Sequence, residues 1–170
     1  MASAYYLWLK PSDDAGNRLS RAIRELAHEH QAPVFEPHIT VVSELAGTES
    51  EHRVRCEQLA QDLQPVPIVV GAAGHDDDYF RCVFLAVDQT HRVIDARMRA
   101  SVLFDTPAAP YFPHLSLLYG TYPESQRIAI IRQLSPELLD DFEATTLSLI
   151  RADSRNPRDW HELGSYPLQS

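Results

Sequence analysis

The chain carries one short pattern twice, and the spacing around it restricts the folds open to it. Pro37-His38-Ile39-Thr40 and Pro113-His114-Leu115-Ser116 each run proline, histidine, an apolar residue, then a hydroxyl. Each stands at a matched distance from an earlier apolar stretch: 31 residues separate Leu7 from His38, and 30 separate Phe84 from His114. A helical pattern fills both intervals, through Leu19, Ala22, Ile23 and Leu26 in the first and Val93, Ile94 and Met98 in the second. A duplicated strand-helix-strand unit accounts for this, and such units build an α+β layered fold.

On a strand, residues i and i+2 share a face. His38 and Thr40 therefore point one way while Ile39 and Val41 point into the core. His114 and Ser116 repeat the arrangement over Leu115 and Leu117. If a pseudo-two-fold relates the units, two imidazoles and two hydroxyls converge on one cleft. Histidine titrates near neutrality, so one ring can take a proton from water while the other gives one to a leaving oxygen. The hydroxyls of Thr40 and Ser116 can donate to phosphoryl oxygens as charge builds up there. Phosphodiester hydrolysis without a metal is the chemistry that suits this set.

The remaining pattern predicts strands over 5–9, 38–42, 66–70, 79–87, 114–119, 144–151 and 161–168. Helices are expected over 13–30, from Ser50 through Leu63, around 93–98, and over 124–134. Ser12 offers an N-cap, with Asp13 and Asp14 in a first turn that favours acids. Ser135-Pro136 reads as a turn and 153–159 as a loop.

Composition narrows the partners. With 44% apolar and 23% charged residues over 170 positions, the chain reads as one globular domain spanning 1–170. Its 15 Lys and Arg against 24 Asp and Glu give a formal charge of −9, which argues against coating long nucleic acid. A small anion in one locally positive pocket is still compatible with it. Cys56 and Cys82 make neither a disulfide framework nor a zinc spacing, as expected of the reducing cytosol. No apolar run approaches a membrane span, and the N-terminus lacks the pattern of a secretory signal. The expectation is a cytoplasmic monomer that engages neither membrane nor long nucleic acid.

Other candidates fail on geometry. His28 and His30, two apart on a helix, do not share a face for a metal. His75-Asp76-Asp77-Asp78 reads as a solvated loop and Cys82 as a core thiol. Six glycines leave little room for a phosphate-cradling loop. No metal and no cofactor is expected.

Stretches along the whole chain resemble the cyclic phosphodiesterase branch of the 2H phosphoesterase superfamily. They are Leu7-Trp8-Leu9-Lys10-Pro11, Phe35-Glu36-Pro37-His38-Ile39-Thr40-Val41, Tyr79-Phe80-Arg81-Cys82-Val83-Phe84-Leu85 and the run from Pro110 to Tyr119, with a weaker match at Trp160-His161-Glu162. The resemblance implies a bilobal α+β fold, each lobe an antiparallel sheet with outer helices and a cleft between. It implies a metal-independent enzyme acting on a small-molecule cyclic phosphate. Such enzymes open 2′,3′-cyclic nucleotides to 2′-phosphates and ADP-ribose 1″,2″-cyclic phosphate to ADP-ribose 1″-phosphate. His38 and His114 would then be the acid–base pair, and Thr40 and Ser116 the phosphate ligands. Pseudo-symmetry makes the histidines alike; the family's pattern for 2′-phosphate products implies His38 as acid and His114 as base.

The other implied contacts leave alternatives open. Tyr119 matches a substrate-contacting tyrosine, yet its odd offset from His114 makes it a core residue unless the chain bends near Gly120. Trp8 and Phe80 either stack on a base or pack in the core. Arg81 either binds a second phosphate or stays solvated. Two rival functions remain: an RNA-end 2′,3′-cyclic phosphodiesterase or 2′–5′ ligase-like enzyme of the same superfamily, and a non-catalytic module binding nucleotides or cyclic-phosphate ends.

Overall fold

In the computed structural model, which describes residues 2–107 and 109–170, the first unit is β1 (Ala4–Pro11), α1 (Asp13–His30) and β2 (Ile39–Leu45). Pro11 ends the strand. Ser12 makes no side-chain cap, so acidic Asp13 and Asp14 are what favour the start of α1. Ala15, Leu19, Ile23 and Ala27, four apart, form its buried stripe. Next come α2 (Glu49–Asp62), β3 (Val66–Ile68) and β4 (Val70–His75). The second unit is β5 (Val83–Val87), α3 (His91–Leu103) and β6 (His114–Leu118), followed by α4 (Glu124–Gln133), β7 (Phe142–Ala152) and β8 (Trp160–Pro167).

Three expectations are corrected. Helix α2 starts from Thr48 and not Ser50, because Thr48 and Glu51 close a reciprocal capping box. The single strand expected over 66–70 is two: β3 pairs with β7, and β4 pairs with β5. The strand expected over 79–87 begins only at Val83. Before it, Tyr79–Arg81 is a 3₁₀ turn, because the Asp78 carboxylate accepts the Phe80 N–H at 2.8 Å.

The strands join in the order β3-β7-β1-β2-β6-β5-β4, every pair antiparallel, with β8 sharing the outer edge of β7. The two expected lobes are halves of this path, and they meet at one pair, Ile39 opposite Leu115. The helices exchange sides. Helix α1, which follows β1, packs on β6, and α3, which follows β5, packs on β2 and β3. Leu7, Leu9, Ile39, Leu115, Leu117 and Leu147 are fully buried, each worth about 1.5–3 kcal/mol of burial. Among the described residues no helix is long and apolar enough to cross a membrane.

Candidate active site

The seam between the halves builds the site. Because Ile39 opposes Leu115 in an antiparallel pair, one step either way sets His38 against Ser116 and Thr40 against His114. Ile39 and Leu115 face the core at 1% and 0% exposure, so these four side chains face the other way. Directly opposed residues stand about 4.5–5.5 Å apart at Cβ, and diagonal ones at roughly 7–8 Å. The two histidines lie on the diagonal, which leaves room for one tetrahedral group between them.

Both rings are oriented alike. His38 Nδ1–H donates to the Glu36 carbonyl at 2.7 Å, and His114 Nδ1–H to the Phe112 carbonyl at 2.9 Å, each two residues back. A carbonyl only accepts, so Nδ1 carries the proton and Nε2 is free for chemistry on both rings. Their surroundings differ. His38 stacks on Trp8 at 3.6 Å and 11°, and meets the edge of Phe35. Burial lowers its pKa to about 3; the Glu36 carbonyl opposes this, and His114 and Lys10 add to it. His114 is half-buried, beside Phe112 and Phe84. Its pKa is also lowered, by burial first; the Phe112 carbonyl and Asp78 oppose the shift and the Arg81 charge adds to it.

Trp8, His38, Thr40, Phe80, Arg81, His114, Ser116 and Tyr119 all line one cavity of about 480 Å³. The Ser116 hydroxyl donates to the Phe80 carbonyl at 2.7 Å, which ties the 3₁₀ turn to β6. Arg81 stands on that turn, half-buried, gripped by Asp76 at 3.1 and 2.8 Å and lying 5.5 Å over the Phe112 ring. It is therefore part of the cavity wall, not a solvated strand residue. Asp77 and Asp78 are exposed, as expected of a solvated loop, while Asp77 also pairs with Arg127 and Asp78 caps the turn.

Tyr119 leaves the strand's alternation because β6 ends at Leu118 and Gly120, at φ +154°, turns the chain away. Its ring stacks on Phe35 at 3.7 Å and still reaches the cavity, so it belongs to core and wall together. Trp8 has the same double membership.

The cavity also takes in residues that sequence reasoning did not assign. Arg155 lies 5.0 Å over the Phe80 ring, Trp160 packs edge-on to Trp8 at 5.9 Å, and Tyr6, Ser43 and Glu44 line one end. Trp160 carried a signal in the match at Trp160-His161-Glu162. Arg155 carried none, since its loop composition says nothing about the ring opposite it.

The model of the family described as cyclic phosphodiesterase-like protein matches residues 1–165. A cyclic phosphodiesterase from Arabidopsis thaliana is 29% identical over 124 residues, which span 72% of this chain and 68% of that one. Escherichia coli LigT, solved in complex with 3′-AMP, superposes with a TM-score of 0.65 at 13% identity, covering both chains fully. TT0787 of Thermus thermophilus gives a TM-score of 0.62 at 15% identity over 97% of each chain. These two likenesses speak for the 2H phosphoesterase fold. With the family model spanning nearly the whole sequence, the chain belongs to the cyclic phosphodiesterase-like protein family and is an enzyme of that kind.

Proposed function

We propose that this enzyme hydrolyses the cyclic phosphodiester of a small nucleotide without a metal ion. It opens 2′,3′-cyclic nucleotides to 2′-phosphates, and ADP-ribose 1″,2″-cyclic phosphate to ADP-ribose 1″-phosphate. One observation carries this reading: two imidazoles with free Nε2 atoms stand diagonally across a seam, each opposed by a hydroxyl, inside one cavity. That a protein of the same fold has been solved with 3′-AMP bound also supports a nucleotide ligand.

In the proposed step, water attacks phosphorus while one Nε2 takes its proton. The bond from phosphorus to the 3′ oxygen breaks, and the other Nε2–H delivers a proton to that oxygen. Each transfer contributes roughly 10²–10⁴-fold. The Thr40 hydroxyl donates to a non-bridging oxygen, and Ser116 does so once it releases the Phe80 carbonyl. Arg81 supplies positive charge beside His114.

The unequal burial of the rings favours His38 as base and His114 as acid, the reverse of the roles the resemblance implied. A ring stacked under Trp8 and held near pKa 3 stays neutral, whereas His114 is the easier one to charge. The substrate's own negative charge then raises both values toward the working range.

The test uses 2′,3′-cyclic AMP in EDTA. His38→Ala and His114→Ala should each lower kcat by at least about 10², with unchanged circular dichroism; wild-type turnover by either variant overturns the two-histidine reading. A substrate with sulfur at the 3′ bridging position separates the roles. Thiolate leaves with little help from an acid, so the loss in His114→Ala should shrink on it while the loss in His38→Ala persists.

A further inference from the structure

Glu44 is out of place for a residue in a strand that borders an anion site. Three described non-glycine residues have positive φ: Gln31 caps the end of α1, Asp105 follows α3, and Glu44, at φ 53°, lies inside β2. A left-handed backbone at a residue with a Cβ is strained, and such strain persists where surrounding structure holds it for a purpose. The register shows how it arises. Leu7 opposes Val42 and Tyr5 opposes Leu45, so two residues, Ser43 and Glu44, face the single Tyr6. This is a β-bulge, a device that re-aims side chains beside active sites. Ser43 and Glu44 are consecutive yet both line the cavity, which a regular strand would forbid.

A carboxylate on the wall of a cavity that receives a phosphate repels the ligand unless it stands apart and meets a donor. It does stand apart: Thr40 opposes Trp8 and the bulge faces Tyr6, two residues or about 7 Å along β1, a span on the scale of a ribose. Its neighbours on the lining are small or aromatic: Ala4 and Ala152 oppose each other, and Tyr6 stands between the bulge and Ile150. Glu44 is near enough to Tyr6 for its charge to add to the burial that raises the phenol's pKa.

We propose that Glu44 reads the base of the nucleotide and gives the enzyme a preference for guanine. Guanine presents two adjacent donors, N1–H and the N2 amino group, which fit the two oxygens of a carboxylate. Beside them its O6 accepts from the hydroxyl of Ser43 or Tyr6. Adenine and cytosine each set a ring acceptor against one of the carboxylate oxygens, and uracil offers a single donor between two acceptors. The inference rests on the cyclic phosphodiesterase reading above.

The test measures kcat and KM for the 2′,3′-cyclic phosphates of guanosine, adenosine, cytidine and uridine. Wild-type enzyme should favour the guanosine substrate in kcat/KM by about tenfold over adenosine, mainly through KM, because the base contact is the same in ground and transition states. Glu44→Gln, whose amide offers one acceptor and one donor, should lose that preference and shift toward adenosine. Glu44→Gly relieves the left-handed backbone, should raise Tm by about 2–4 °C, and should also lose the preference, so the loss cannot be put down to unfolding. Turnover of all four substrates at equal kcat/KM, or a preference that survives Glu44→Gln, overturns the assignment of Glu44 alone. No turnover of any of the four overturns the cyclic-nucleotide part of that reading and the base assignment with it.

Discussion

At the scale of single residues, the two histidines are alike in sequence and in hydrogen bonding, and only their cover distinguishes them. Both line the cavity, but Trp8 and Phe35 bury His38 while His114 is only half-buried. The consequence appears in the pH profile. In the free enzyme both pKa values are lowered, His38 to about 3 and His114 below its ordinary 6.5. The competent form carries one proton on the pair, so its population falls as pH rises past the upper value and again as pH drops toward the lower one. The bell of kcat/KM should therefore lie on the acid side of pH 6.5. Bound phosphate raises both pKa values, so the bell of kcat should move to higher pH. Initial rates across pH 3–9 measure both, and a kcat/KM bell centred above that of kcat would contradict the assignment.

At the scale of elements, β4 lies one strand behind the site and pairs with β5, whose Phe84 meets His114. Gly74 faces Phe84 so closely that a Cβ there would sit 2.7 Å from the ring. Phe84 in turn opposes Ser116 and meets the edge of His114. Gly74→Ala should destabilise the protein by about 1–3 kcal/mol and lower kcat by disturbing His114, as denaturant unfolding and turnover would report. An undisturbed kcat would mean that Phe84 moves away without shifting the histidine.

The same stretch marks the limit of sequence reading. Gly71-Ala72-Ala73-Gly74 has none of the β-branched residues that announce a strand; β5 beside it supplies the order. The motifs were legible because alternation on a strand is strict, and His38, Thr40, His114 and Ser116 obey it. Ser43 and Glu44 were not, since a bulge breaks that alternation, and Tyr119 was reached only through the resemblance and a bend near Gly120. Arg81 was misplaced for a related reason. An Asx cap at Asp78 turns a stretch of strand-like composition into a 3₁₀ turn and swings the guanidinium into the wall.

At the scale of the whole molecule, charge sets which ligands approach. A protein of formal charge −9 repels a polyanion, yet a mononucleotide brings only one or two charges to a cavity where Arg81 and Arg155 balance Asp78 and Glu44. The screening length falls from about 30 Å at 0.01 M salt to about 8 Å at 0.15 M. Over that range kcat/KM for an oligonucleotide with a cyclic-phosphate end should rise, while that for a cyclic mononucleotide stays level or falls. An oligonucleotide preferred at low salt would favour the RNA-end reading instead.

The crossing of the helices has a mechanical consequence. Each half lends its helix to the underside of the other, so the seam of one residue pair is clamped from beneath at two places. Opening the cleft like a book would shear α1 off β6 and α3 off β2 together. The packing therefore opposes any change in the width of the cleft.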